Sequence, residues 1–278
     1  MLKYLKINIF FLTLIAVVSG CGNDKNRDIN QTTRVEFPSY LEYKCEKIEN
    51  PDRVTFCINP DETYVSIGKS ETEEDVILLE KILTVFPRRM RERVVTIEFS
   101  AENFSEGSAT VNPIDTDKVQ WNMWVNTNSE AMNDEKGQME TVAHELKHYL
   151  TLNSTQESNN PALCGNLMGM LENCPKESSI YFDFIQKFWK PIYNDKIWPN
   201  GDYNSYYDRH PDDFVTPYAV TNSGEDIAES FAEFIFQNKP SDLSLEKNKK
   251  IAYFWNFSEF EILRKEIREN LNKYSNSL

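Results

Sequence analysis

Two histidines four positions apart are the first candidates for a catalytic or metal-binding site in this chain. His144 and His148 frame the sequence His-Glu-Leu-Lys-His. On a helix this spacing places both imidazoles on one face, one turn apart, where they can occupy two corners of a tetrahedral zinc site. Glu145 lies about 100° further around such a helix. It would then reach the space beside the metal, where a carboxylate can take a proton from an activated water.

Chance is a weak explanation for this motif, because the chain has only three histidines and two of them lie in it. The apolar residues around the motif recur at helical spacing and predict a helix from Gln138 to Leu152. The third histidine, His210, lies in a polar stretch and is expected at the surface rather than on the metal. The metzincin extension is absent, since Thr151 and Ser154 stand where Gly and His would be required.

A third protein ligand must come from elsewhere, because a catalytic zinc normally has three protein ligands and one open position. Glu225 and Glu229 share one face of a predicted helix from Glu225 to Gln237. Two such carboxylates repel each other unless a cation or an imidazole N–H lies opposite. A metal would satisfy Glu225, and the second nitrogen of a zinc-bound histidine would satisfy Glu229. The alternative is an ordinary acidic amphipathic helix.

The segment from Tyr218 to Phe231, taken together with His-Glu-x-x-His, resembles the gluzincin metallopeptidases. It is most similar to the type represented by the anthrax lethal factor catalytic domain and related zinc-binding metallopeptidases. The resemblance covers about residues 138–236. It implies that Glu225 is the third Zn²⁺ ligand, that Tyr218 donates its phenol to the oxyanion, and that Glu229 supports a zinc-bound histidine. It also implies a peptide or protein substrate.

The first twenty residues have the layout of a secretory signal peptide. Lys3 and Lys6 precede an apolar run from Ile7 to Val18, and Val-Ser-Gly then leads into Cys21. The run is shorter than the about 20 residues that span a bilayer. The ending resembles the lipobox of bacterial lipoproteins, whose cysteine is lipidated; an ordinary signal peptide with a chance cysteine is the alternative. We expect a lipid-anchored protein of the cell envelope, periplasmic or surface-exposed.

The predicted domain organisation has three parts: a signal peptide at 1–20, a polar tether at 21–34 and one zincin-like metallopeptidase domain at 35–278. The predicted fold class is α+β, with a small mixed sheet followed by a helical half and the motif helix at the cleft. Strands are predicted at Tyr64–Ile67, Arg93–Phe99 and Lys118–Val125. Helices are predicted at Glu74–Phe86, Gln138–Leu152, Ser179–Tyr193, Glu225–Gln237 and Asn248–Tyr274, the last as one helix or two.

Two further segments carry predictions. Residues 200–216 are rich in Gly, Asn, Asp, Tyr and Pro, which is typical of a long loop. In proteins of the resembling type, a strand before the active helix holds the substrate backbone by strand addition. The strand from Trp121 to Asn126 is the candidate for this exposed edge, and a plain core strand is the alternative.

Four cysteines besides Cys21 suggest disulfides outside the cytosol, because their number is even. Sequence proximity favours Cys45–Cys57 and Cys164–Cys174, with other connectivities and buried free thiols as alternatives. The chain has 30 basic and 44 acidic residues, a net charge of −14. This balance argues against a nucleic-acid partner, and attachment to a membrane would come from the lipid.

Two other functions compete with a zinc-dependent metalloendopeptidase. A non-catalytic zinc-binding lipoprotein, structural or adhesive, would leave Glu145 and Tyr218 without a role, and structural zinc usually has four protein ligands. A zinc-dependent cell-wall amidase would suit the location but fits the motif plus distal Glu less well. The sequence therefore predicts hydrolysis of peptide bonds by a metal-activated water.

Overall fold

The computed structural model describes residues 53–101, 107–114, 116–158, 174–192 and 203–276, which group into one compact unit. The expected signal peptide and tether, together with Cys21, Cys45 and Cys164, lie outside the described residues. Lipidation and both disulfide pairings therefore stay predictions. Among the helices in the described ranges, none has the length and apolarity needed to cross a membrane.

A mixed sheet forms the first half of the described chain, as predicted, but it has five strands where three were predicted. The strands are β1 (Val54–Ile58), β2 (Tyr64–Gly68), β3 (Val94–Ser100), β4 (Ala109–Pro113) and β5 (Trp121–Asn126). They lie in the order β2-β1-β3-β5-β4. Within this sheet β3 and β5 are parallel, and the other neighbouring strands are antiparallel.

The edge of the sheet is where the sequence-based prediction is wrong. β5 is not an exposed edge, because it pairs with β3 on one side and with β4 on the other. Val125 shows this directly, since it lies opposite Phe99 on β3 and Ala109 on β4. Among the described strands, β4 is the edge on this side of the sheet and β2 is the edge on the other. Alternating apolar residues mark β5 as a strand, but they do not tell which strands will pair with it.

One helix, α1 (Glu73–Val85), lies between β2 and β3 in the chain and agrees with the prediction to within one residue. It begins with a capping box: Asp75 N donates to Thr72 Oγ1, and Thr72 N donates to the Asp75 carboxylate. Its inner side is buried in the core. Pro87 follows its last turn and precedes the short helix α2 (Arg88–Arg91).

The second half is helical, as predicted. The prediction of a loop at residues 200–216 is wrong, because this segment contains the helix α5 (Tyr203–Arg209). The ring of Tyr206 on α5 is buried and lies 6.0 Å from that of Phe214, and this burial outweighs the polar composition of the segment. The helices are α3 (Glu135–Leu152), α4 (Ile180–Phe184), α5 (Tyr203–Arg209), α6 (Ser223–Phe236), α7 (Glu246–Tyr253) and α8 (Ser258–Ser275).

Helix α3 lies at the centre of this arrangement, in contact with both β4 and α6. The face of α3 beside the histidine pair is also buried, although it carries Lys147. The Lys147 ammonium lies 4.4–5.1 Å from the ring centroids of Phe231, Phe254 and Phe260. Burial lowers the pKa of Lys147 to about 7. The packing of α3 is therefore dense on both faces, which fixes the direction of its histidines.

The first turn of α3 leaves no room for a side chain at Gly137. Asp134 caps the helix by accepting a hydrogen bond from Gly137 N at 2.8 Å. The preceding turn lies directly against this position, so that a methyl group at Gly137 would come within 2.1 Å of Ala131 O. This close approach positions α3 against the turn that follows β5.

We expect Gly137→Ala to lower the free energy of unfolding by about 1–3 kcal/mol, because the added methyl group overpacks this turn. Alanine is the better helix former by about 1 kcal/mol, so propensity alone predicts the opposite sign. Chemical denaturation measures the effect. Lys136→Ala, at the neighbouring position where the side chain is 70% exposed, is the matched control and should change stability by less than about 0.5 kcal/mol. A Gly137→Ala variant as stable as the wild type would contradict the close approach.

Candidate metal centre

The two motif histidines and Glu225 converge on one point between α3 and α6. His144 Nε2 lies 3.0 Å from Glu225 Oε2, and His148 Nε2 lies 3.2 Å from the same oxygen. The two Nε2 atoms are 2.9 Å apart. All three side chains are buried. The structure thus brings together the three residues that the sequence nominates as ligands, although 77 positions separate His148 from Glu225.

The spacing and chemistry of these groups fit a metal site. Each residue offers one ligand atom, and the three atoms lie within 4.8 Å of one another. Tetrahedral zinc with bonds of about 2.0–2.1 Å separates neighbouring donor atoms by about 3.3 Å, close to the observed separations. Imidazole nitrogens and a carboxylate oxygen are also ligands that zinc accepts. Three protein donors are the number expected when a fourth position is left for water or substrate.

Both helices are built to aim these ligands. α3 supplies both histidines from adjacent turns of one face. α6 begins with Asn222 as its N-cap, whose Oδ1 accepts a hydrogen bond from Glu225 N at 2.9 Å. Glu225 therefore stands in the first turn of α6, where the helix dipole favours a carboxylate. This cap also explains why α6 begins at Ser223, two residues before the predicted start.

Glu229 lies behind His144, one turn along α6 from Glu225. Its Oε1 is 2.6 Å from His144 Nδ1, which is the contact that the family resemblance implies. Such a contact fixes the imidazole so that Nε2 is directed at the metal position. Of the two carboxylates on this face of α6, one thus faces the ligand cluster and the other orients a member of it.

The electrostatics of the cluster favour a positive charge. Burial alone would lower the pKa of His144, but the carboxylates of Glu225 and Glu229 outweigh it and raise this pKa to about 9. Burial would likewise raise the pKa of Glu225, yet His144 and His148 hold it well below its ordinary value. The pKa of Glu229 is also lowered, against burial, by hydrogen bonds from His144 and Thr216. A bound cation would balance the negative charge of these carboxylates, as a proton on His144 does without a cation.

Glu145 and Tyr218 line the same cleft as the three ligand candidates, which has a volume of about 380 Å³. Glu145 is only 6% exposed, whereas Tyr218 is 53% exposed at the mouth of the cleft. The Tyr218 ring centroid lies 6.0 Å from that of His144, with the ring planes tilted by 34°. The turn carrying Tyr218 is fixed by Thr221, whose N and Oγ1 both donate to Tyr218 O at 3.0 and 2.9 Å.

The edge strand β4 forms another wall of this cleft, with all five of its residues from Ala109 to Pro113 lining it. Sequence reasoning missed this strand because Ala-Thr-Val-Asn-Pro has little apolar alternation. One signal was available: proline is confined to edges and strand ends in a sheet, because it lacks an N–H. Pro113 at the end of β4 fits that rule.

A second cavity, of about 420 Å³, adjoins the first and is lined by Glu140 and Glu233 as well as by Glu145 and Tyr218. Burial, followed by the charge of Glu140, raises the pKa of Glu233 to about 7. Burial also raises the pKa of Glu140. Sequence reasoning missed both residues, although a signal was available: Glu140 is four positions before His144 and Glu233 is four positions after Glu229, so each continues one of the two ligand-bearing helix faces.

His210 does not join the ligand cluster, as expected. Its ring stacks on Tyr206 with 4.4 Å between centroids. Its Nδ1 lies 3.4 Å from Asp213 Oδ2, and its side chain is 39% exposed. His210 therefore belongs to the packing at the end of α5, and the third ligand candidate remains Glu225.

One solved structure is weakly similar to this chain. No protein-family model and no curated protein matches the chain. The fold is similar to the crystal structure of a "putative zinc-binding metallo-peptidase" from Bacteroides caccae ATCC 43185, with 17% sequence identity and a TM-score of 0.39. The match covers 75% of this chain and 84% of that chain. At these values the likeness does not support any assignment of residues, which rests on the geometry above.

The raised pKa of Glu233 predicts a pH dependence of stability. Because this pKa lies near 7 in the folded protein and its ordinary value is 4.5, the folded state binds the proton more tightly. The stabilisation is complete below about pH 4.5 and is lost as the pH rises through about 7. We therefore expect the unfolding temperature to fall less between pH 5 and pH 8 in Glu233→Gln than in the wild type.

Thermal unfolding followed by circular dichroism at both pH values measures this difference. Glu261→Gln, which alters an exposed glutamate of α8, is the control and should reproduce the wild-type decline. Identical profiles for Glu233→Gln and the wild type would contradict the environment described for this carboxyl group.

Proposed function

We propose that this chain is a zinc-dependent metalloendopeptidase. The observation that carries the proposal is the convergence of His144, His148 and Glu225 within hydrogen-bonding distance, with the buried Glu145 in the same cleft. When bound, zinc would polarise the peptide carbonyl and lower the pKa of water toward about 7.

In the proposed reaction, Glu145 transfers the proton from the attacking water to the leaving amine. It is next to a ligand in sequence, yet its side chain points into the cleft that the ligands share. From there it takes the proton of the attacking water and later delivers it to the leaving amine. Its burial keeps bulk water from competing for that proton.

Tyr218 supplies a hydrogen-bond donor for the oxyanion that develops on the attacked carbonyl. Its ring lies close to that of His144, and its exposure at the mouth of the cleft leaves room for substrate beside it. A donor placed where charge develops in the transition state typically contributes about 3–4 kcal/mol.

The proposed substrate is an extended peptide. Among the described strands, β4 pairs with β5 on one side and ends the sheet there, so a peptide can add to its other side through backbone hydrogen bonds. Because the residues of β4 line the cleft with Glu145, a peptide bound there passes the ligand cluster. The edge strand thus takes over the role that the sequence assigns to β5.

The decisive variant for this function is Glu145→Gln, which keeps the size of the side chain but cannot accept a proton. We expect it to bind zinc as the wild type does and to lose peptide cleavage by about 10²–10⁴-fold. Metal content by mass spectrometry and cleavage of a fluorogenic peptide library measure the two effects. Tyr218→Phe is the graded comparison and should also keep zinc while kcat falls by about 10²–10³-fold.

Three other outcomes would contradict the proposal. A Glu145→Gln variant with unimpaired cleavage would exclude the proton-transfer role. A zinc-loaded wild type that cleaves no peptide but releases products from cell wall would identify an amidase. Zinc binding without any hydrolysis would favour the structural or adhesive lipoprotein.

We further propose that the enzyme acts in the cell envelope, anchored through a lipid on Cys21. The support is the sequence alone: Lys3 and Lys6, the apolar run, and Val-Ser-Gly before the cysteine. Cys21→Ala is expected to abolish incorporation of a labelled fatty acid and to leave the protein outside the membrane fraction. A variant that is still labelled and membrane-bound would contradict this anchor.

A further inference from the structure

The turn of α6 that carries Glu225 is held from behind by a buried ion pair. Asp226, the next residue, is fully buried, and its Oδ2 accepts a hydrogen bond from Trp189 Nε1 at 2.7 Å. The same oxygen lies 2.6 Å from Lys250 Nζ on α7, and Lys250 is only 1% exposed. Three segments distant in sequence therefore meet at one carboxylate oxygen.

Aromatic rings enclose this pair. The Lys250 ammonium lies 3.8 Å from the ring centroid of Phe214, and the Phe214 ring lies 5.9 Å from that of Trp189. Taking two charges out of water is costly, and apolar residues of similar volume often stabilise a fold as well or better. Stability alone is therefore a poor reason for this pair. The pair instead fixes the orientation of α6, because a hydrogen-bonded carboxylate restricts rotation of the helix that bears it.

A second buried contact acts on the same turn. Tyr181 Oη and Ser223 Oγ are 2.8 Å apart, and both residues are buried. Ser223 is the first residue of α6. Since Asn222 caps Glu225 N, the first turn is held at its start, at Glu225 itself and at the following residue.

Tyr181 and Trp189 reach the same turn because the helix between them widens. α4 continues into a π-helical turn, Ile185–Trp189, marked by the hydrogen bond from Lys190 N to Ile185 O at 2.9 Å. In a regular α-helix, residues eight apart point about 80° away from each other. A turn with hydrogen bonds from i to i+5 holds more residues and removes most of this rotation. Both side chains can thus face α6.

We propose that Trp189 is a positioning residue for the metal centre, acting through Asp226 and Lys250 on Glu225. Neighbouring residues of a helix differ by about 100° in direction, so fixing Asp226 on one side fixes Glu225 on the other. The ligand oxygen of Glu225 must stay near 3 Å from both histidine nitrogens. Small rotations of α6 would move it out of reach. The inference rests on the proposed zinc-dependent function.

The test is the zinc affinity of the full chain carrying Trp189→Phe, measured by competition with a chromogenic chelator. This substitution removes the indole donor and keeps an aromatic ring. We expect zinc to bind about 10-fold more weakly, the lower end of the range for a direct partner of a ligand, because Trp189 supports Asp226 and not a ligand itself. Tyr181→Phe removes the contact to Ser223 and should weaken zinc in the same direction, so the outcome does not depend on one variant.

Tyr253→Phe is the matched control, because its hydroxyl donates to Asp183 Oδ2 at 2.9 Å and to Ile180 O at 3.2 Å, both on α4, rather than to α6. It should bind zinc as the wild type does. The unfolding temperature of each metal-free variant is measured alongside, since a purely structural role would lower it and leave zinc affinity unchanged. Trp189→Phe with an affinity within twofold of the wild type, or Tyr253→Phe weakened equally, would overturn the positioning role. A wild type that binds no zinc would instead overturn the proposed function.

Discussion

One constraint organises the packing of this protein: a carboxylate oxygen and two imidazole nitrogens meet across the contact between α3 and α6. Groups of this kind are not held at 2.9–3.2 Å in a buried place unless a proton or a cation lies among them. The protein meets the cost of burial with paired charges: Glu225 faces both histidines, and Glu229 faces the far nitrogen of His144. The negative charges of the Glu225 and Glu229 carboxylates are balanced only when the cluster holds positive charge.

This constraint determines how the two helices are built. Each helix has to present a polar face to the other while its remaining faces are buried in the core. α3 does so with His144 and His148 in front and, on the adjoining face, Lys147 among three phenylalanine rings. α6 does so with Glu225 in front and Asp226 paired behind. Neither helix is amphipathic in the usual sense of one wet and one dry side.

The ligand set could be predicted from the sequence because most of its information is local. Two histidines four apart define one helix face wherever the helix lies, and Glu225 with Glu229 defines another. The edge of the sheet could not be predicted, because the pairing of β5 with β4 depends on residues that carry no periodic signal themselves. The Asp226–Lys250 pair was equally out of reach, since nothing near Asp226 in sequence indicates a lysine from α7.

The internal position of β5 in the sheet also shows how the cleft is assembled. Trp121 of β5 lies opposite Pro113 of β4, and its ring meets Tyr149 of α3 with 5.8 Å between centroids. Tyr149 follows His148 directly in the chain. The contact between Trp121 and Tyr149 therefore joins β5 to the metal helix, beside the direct contact that β4 itself makes with α3. If a peptide adds to β4, its distance from the ligands is set by the contact of β4 with α3, while the pairing with β5 holds β4 in register. The internal β5 thus supports a geometry between substrate strand and metal centre that β4 sets directly.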